Sequence, residues 1–181
     1  MSQRKLKLIS VFIASLLFRF LPFRPPNVEL ILASQMPIAK AYGGLAGFFF
    51  GAFSIFAFDL ITGTLGPWSL ITAPVYGLLG LGAAWYFKHR SLKRHFVYFA
   101  IGGTLFYDAL TGLTVGPLLF HQSFFAAVIG QIPFTFMHLL GNVSFSLMWS
   151  PFIEKWLTAE DWLFFKRPKL YKTQSPVSTQ T

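Results

Sequence analysis

The chain has 181 residues, of which 54% are apolar and 12% charged, with a formal net charge of +9. So low a charge content on so apolar a chain excludes a disordered segment, a coiled coil and an ordinary soluble enzyme. No cysteine is present, which removes disulfides, thiolate nucleophiles and cysteine metal sites.

The charges leave two long deserts. Between Gly43 and Phe87 the only charged residue is Asp59, and between His95 and Ile153 it is Asp108. A membrane-crossing helix needs about 20 mostly apolar residues, so each desert has room for two crossings. The pattern predicts an all-α integral membrane protein, a six-helix transmembrane bundle over residues 1–157. The basic start, Met1 to Lys7, and the apolar run to Phe18 resemble a signal peptide at first sight. Arg19, Pro22 and the Pro25-Pro26 pair follow with no small-residue cleavage site, so this stretch reads as a retained first span.

In chain order, the first span is expected over about residues 6–21 and a polar break over 22–27. The second is expected over 28–41, ended by Gly43-Gly44, and the third over 45–62. Residues 63–67 read as a turn, 68–87 as the fourth span and 88–94 as a basic loop. Residues 95–111 read as the fifth span and 112–117 as a second turn. The stretch 118–156 is too long for one straight crossing. Pro133 is expected to divide it into a short outer or re-entrant piece and a sixth span. Residues 158–173 mix aromatic and basic side chains, as in a helix lying at the membrane interface, and 174–181 read as a disordered tail.

Orientation follows from lysine and arginine in short loops. With six spans both termini share a side. That side holds 13 of the 15 basic residues, leaving only Arg19 and Arg24 opposite. Both termini are therefore predicted cytoplasmic. The positive charge signals topology and a lipid bilayer as partner, with no nucleic acid involved.

A short element recurs. Asp59-Leu60-Ile61-Thr62-Gly63 returns as Asp108-Ala109-Leu110-Thr111-Gly112, with Gly66-Pro67 and Gly116-Pro117 following. The two copies suggest a weak parallel repeat of helical hairpins. Each aspartate is expected near the outer end of its span. It serves there either as part of a helix-terminal turn or as one of two acids lining an outward cavity. His138 and Asn142 lie four apart on one helix face. Interhelical hydrogen bonding and a ligand pocket both account for them. Gln35, Gln122 and Gln131 are further polar residues in apolar surroundings. The chain has no phosphate-binding glycine loop, no His-Glu-x-x-His and no clustered histidines, so no catalytic site, metal site or cofactor is expected.

Several stretches in order resemble the substrate-binding S components of energy-coupling factor (ECF) transporters. They are Pro25-Pro26-Asn27-Val28-Glu29, Ala46-Gly47-Phe48 through Gly51-Ala52 with Asp59-Leu60, Gly66-Pro67-Trp68, and Pro133 through Asn142. The resemblance covers roughly residues 24–157. It implies a non-enzymatic subunit in a prokaryotic cytoplasmic membrane that captures a vitamin or related micronutrient from outside. Delivery would follow with a transmembrane T component and two ATPases. The loop at 21–27 would then act as a lid. The family's Ala-x-x-x-Ala docking patch has only Ser10-x-x-x-Ala14 as its counterpart here. By position, the expected substrate-binding residues are Asn27, Glu29, Asp59, Trp68, Tyr76, Asp108, Gln122, His138 and Asn142. The competing expectation is a membrane structural or assembly protein without a small-molecule ligand.

Overall fold

The computed structural model describes residues 3–159, and the expected interfacial segment from residue 160 and the tail at 174–181 lie outside them. The described residues form six α-helices and no strands: α1 (Gln3–Arg19), α2 (Ile31–Tyr42), α3 (Gly44–Thr62), α4 (Ser69–Phe87), α5 (Arg94–Phe120) and α6 (Phe124–Thr158). Four of them, α3 to α6, are long and apolar enough to cross a membrane.

Helix α2 has 12 residues and so a length of about 18 Å, short of a bilayer core. Its burial explains its apolar sequence: Ile31 through Ala39 are all buried. It packs against every other helix. Pro37 within it removes one backbone donor, a loss tolerated where neighbouring helices enclose the backbone.

The α3–α4 contact depends on small residues. An added Cβ at Gly47 would meet the Ala39 Cβ of α2 at 2.6 Å and Gly80 of α4 at 3.1 Å. One at Gly80 would run into the Gly47 backbone, and one at Gly51 into the Gln35 amide. Without a hydrophobic drive between helices in lipid, such close backbone approach is what holds neighbouring spans together. Gln35 exploits it. Its Nε2 donates to Gly47 O at 3.0 Å and to Tyr76 O at 2.8 Å, tying α2 to α3 and α4.

One end of the bundle is basic and clasped. Lys7 Nζ donates to Ala159 O at 2.6 Å. Lys40 pairs with Glu154 at 2.6 Å and lies 5.6 and 5.5 Å from the ring centroids of Phe87 and Phe96. The start of α1, the ends of α2, α4 and α6 and the start of α5 thus meet at this end. The opposite end carries the loop at 20–30, the turn at 63–68 and the turn at 121–123.

Two expectations are corrected. Residues 112–117 are not a turn, because α5 runs on through Gly112 and Pro117 to Phe120. Thr111 and Thr114 bond back to the carbonyls of Tyr107 and Leu110. A break at this depth would leave backbone groups with no water to satisfy them. The turn comes later, where His121 takes a left-handed φ of 52° and Ser123 caps α6 by accepting from Ala126 N at 3.2 Å. Nor does Pro133 divide the last segment: α6 is one continuous helix of 35 residues, about 52 Å long. The repeated Asp-x-x-Thr-Gly element therefore sits in two different places. It ends α3, where Gly63 is the left-handed cap, but lies inside α5.

The Gly47–Gly80 contact yields a test. Gly80→Ala is expected to destabilise the detergent-solubilised protein by about 1–3 kcal/mol, the usual cost of overpacking. Gly102→Ala, where nothing lies within 4 Å, is expected to be neutral or stabilising by up to ~1 kcal/mol. Thermal unfolding measures both, and equal shifts would show that the close α3–α4 approach contributes nothing.

Candidate functional site

Polar side chains from four helices and the loop before α2 converge inside the apolar bundle. Glu29 enters from the residues preceding α2 and is buried. Tyr76 of α4 donates its hydroxyl to Glu29 Oε1 at 3.0 Å. Arg19, closing α1, brings Nε to 3.3 Å from Glu29 Oε2, an ion pair without hydrogen-bond geometry. Its guanidinium also lies over the Phe58 ring at 3.7 Å and reaches Ser54 O at 3.4 Å. Arg24 Nη1 caps the loop by donating to Val28 O at 2.8 Å.

The cluster continues through rings. Tyr76 and Tyr107 meet edge to face at 4.8 Å, and Tyr107 and His138 at 5.9 Å. Phe134 lies 5.8 Å from His138 on its other side. His138 Nδ1 is 2.7 Å from Asp108 Oδ1, so one proton lies between α5 and α6 at this point. One turn along α6, Asn142 Nδ2 donates to Thr104 Oγ1 at 2.8 Å. Asp108, His138 and Asn142 are 1%, 4% and 1% exposed. Three carboxylate or amide oxygens in the interior have no partner among the described residues: Asp108 Oδ2, Asn142 Oδ1 and Gln35 Oε1.

Asp108 was expected near the outer end of its span. It lies instead in the middle of α5, because that helix continues to Phe120. A carboxylate there is costly unless bonded, and His138 supplies one bond. Asp59 does sit at a helix end. Its Oδ2 accepts from Ser69 Oγ at 2.6 Å, which links the end of α3 to the first turn of α4. The positive end of the α4 dipole favours a carboxylate there.

The remaining expected residues are spread out. Asn27 is half-buried in the loop, with a left-handed φ of 63°. Trp68 is half-buried at the turn before α4, 5.9 Å from Phe120. Gln122 is exposed in the α5–α6 turn, its side chain against Gly116. The structure thus brings Glu29, Tyr76, Asp108, His138 and Asn142 together. Asp59, Trp68 and Gln122 belong to the turns beyond. Ser10 and Ala14 are exposed on α1, with Ser10 Oγ bonded back to Leu6 O.

Four members escaped sequence reasoning: Arg19, Arg24, Tyr107 and Thr104. The signal for the arginines was present. They are the two basic residues outside the basic end, ten and five positions before the only acid of that stretch, Glu29. Tyr107 and Thr104 gave none, since tyrosine and threonine are ordinary in such helices.

A cleft of about 420 Å³ opens between α5 and α6, lined by Asp108, Gln131 and Thr135 among apolar neighbours. Gln131 Nε2 donates to Thr135 Oγ1 at 3.1 Å, and the Gln131 side chain packs where Gly112 leaves room. A second hollow, between α1 and α3, is lined by Leu8, Phe12, Phe49 and other apolar residues alone. No family model, no curated protein and no solved structure matches the chain.

The Glu29–Tyr76 bond can be tested by a double-mutant cycle. Glu29→Gln and Tyr76→Phe are each expected to cost about 1–3 kcal/mol in unfolding free energy, as for a buried polar group losing its partner. The double variant should cost less than the sum of the two, by at least ~0.5 kcal/mol. Strict additivity would mean the two groups act independently.

Proposed function

We propose that this chain is the substrate-binding S component of an ECF-type importer in the cytoplasmic membrane of a prokaryote. The carrying observation is the polar cluster of Glu29, Tyr76, Asp108, His138 and Asn142 inside an apolar helical protein, with acceptors left open. Ionisable groups at such depth are expensive and mark binding or transport sites. The loop over the cluster supports the same reading. An added Cβ at Gly141 would meet Val28 Cα at 3.0 Å, so the loop at 20–30 rests on α6 directly beside Asn142.

In this reading all six helices belong to the membrane domain, α1 and α2 included, and both termini are cytoplasmic. The placement of 13 of 15 basic residues on that side supports the orientation. A vitamin or related micronutrient enters from outside, is held by the cluster and is covered by the loop. The chain binds it without transforming it. The T component docks on the exposed face of α1 around Ser10 and Ala14, and two ATPases on other chains drive release.

A structural or assembly role is the second reading. The Asn142–Thr104 bond and the Gln35 bonds favour it, since interhelical hydrogen bonds hold bundles together without any ligand.

Mass spectrometry of small molecules released from the washed, denatured protein separates the two. The importer reading expects a stoichiometric vitamin-like compound and co-purification with a T component and two ATPases. It expects about ten-fold or greater loss of affinity in at least one of Asp108→Ala and Asn142→Ala, as for loss of one buried polar contact. An empty protein that co-purifies with none of these subunits would establish the assembly reading.

A further inference from the structure

The charge balance of the cluster, and the identity of its unpaired atoms, specify what kind of ligand it takes. Away from the basic end the chain has two guanidiniums, Arg19 and Arg24, against three carboxylates, Glu29, Asp59 and Asp108. With histidine counted as neutral, a protein of net charge +9 thus carries an excess of negative charge here. Both oxygens of Glu29 are engaged, by Tyr76 and by Arg19. Asp59 takes the Ser69 hydroxyl. Asp108 has His138 on Oδ1, while Oδ2 is buried with no partner among the described residues. Among the described residues it is the one buried carboxylate oxygen so placed, and Asn142 Oδ1, near it in the cluster, is likewise an open acceptor.

The leftover donors do not answer these acceptors. Nε of Arg19 and of Arg24 are unbonded, but those guanidiniums are held at Glu29, Ser54 O and Val28 O. A carboxylate oxygen with no donor in apolar surroundings is strongly unfavourable. Asp108 also lines the α5–α6 cleft, whose volume of about 420 Å³ suits a small ring compound. The wall of that cleft includes Leu105, Leu113 and Phe136 and holds no lysine or arginine. Its neutral amide, Gln131 Nε2, gives one of its two hydrogens to Thr135. The cleft thus offers a ligand acceptors, negative charge and apolar surface, but no cation.

We infer that the cleft takes a small ring-bearing compound with a protonated amine or similar cationic nitrogen. That nitrogen donates to Asp108, and the ring lies among Leu105, Leu113 and Phe136. A ligand whose polar end is a carboxylate is disfavoured, because it would face Asp108 with no lysine or arginine in the cleft wall to neutralise it. The inference rests on the substrate-binding reading above and names the chemistry of that substrate.

Two probes share a ring system and differ in the sign of their charge: tryptamine and indole-3-acetate. Each is added at ~10 mM, enough to fill a millimolar site, to the full chain in mild detergent, and the unfolding midpoint is read. Tryptamine is expected to raise the midpoint and indole-3-acetate to leave it unchanged. In Asp108→Asn the tryptamine shift should vanish. No shift with tryptamine, an equal or larger shift with indole-3-acetate, or a full tryptamine shift in Asp108→Asn each overturns the inference. If Asp108→Asn does not fold, the two probes on wild type still decide. Failure here is distinct from failure of the importer reading: an anionic compound released from a protein that co-purifies with its T component and ATPases would refute only the ligand chemistry.

Discussion

Ile31 through Ala39 expose no side chain, and all five other helices pack against the segment they form. That enclosure is the constraint on which the remaining architecture depends. A helix about 18 Å long cannot span the hydrocarbon alone, so its polar groups have to be met from within the protein. Gln35 does this by giving both amide hydrogens to carbonyls of α3 and α4. Those bonds require α3 and α4 to come close, which Gly47, Gly51 and Gly80 permit. Ser34 adds a further tie, with its hydroxyl 3.0 Å from Ser15 of α1 and accepting from Trp149 Nε1 of α6 at 2.8 Å. Ser150 then donates to Ala33 O at 2.7 Å. Small and polar residues thus do for α2 what apolar burial does in water, where lipid offers no contrast between inside and outside.

With α2 fixed, the residues just before it are fixed as well, and this places Glu29. Its side chain is largely shielded, and Tyr76 and Arg19 meet the carboxylate from α4 and α1. Removing one partner of such a group typically costs about 3–5 kcal/mol, far more than the intact pair contributes. The pair is therefore weak evidence for stability and better evidence for geometry: it holds the end of α1 and the loop over the cluster in one position. Asp108 differs. It has one partner where Glu29 has two, and its second oxygen is left over.

The helices themselves were legible wherever charge and apolar runs decide them. The turns at Gly63 and Gly43 follow from glycines that adopt positive φ, and the structure puts them there. The misreadings share a cause. Gly112, Pro117 and Pro133 break helices in water because water satisfies the groups they release, and in lipid nothing does. The same error displaced Asp108, since a span that ends at residue 111 leaves it near the surface, and one that ends at Phe120 buries it. The His138–Asn142 face was readable from spacing alone. Its partners Asp108 and Thr104 were not, because which helix lies opposite is set by packing across 30 residues or more.

The two ends of the bundle are built differently. At the basic end ionic contacts clasp the helices: Lys40 and Glu154 pair over two rings, and Lys7 closes on the last turn of α6. These contacts join α1, α2 and α6 to the α4–α5 corner. At the other end the loop at 20–30 is held by short backbone turn bonds, by Arg24 on Val28 O, and by Glu29 on Tyr76 and Arg19. The open acceptors of Asp108 and Asn142 lie in the interior beneath it. Because the Arg19–Glu29–Tyr76 contacts also hold the loop at 20–30, exposing the cluster would mean breaking that buried pair, whereas α2 and the basic clasp could stay in place.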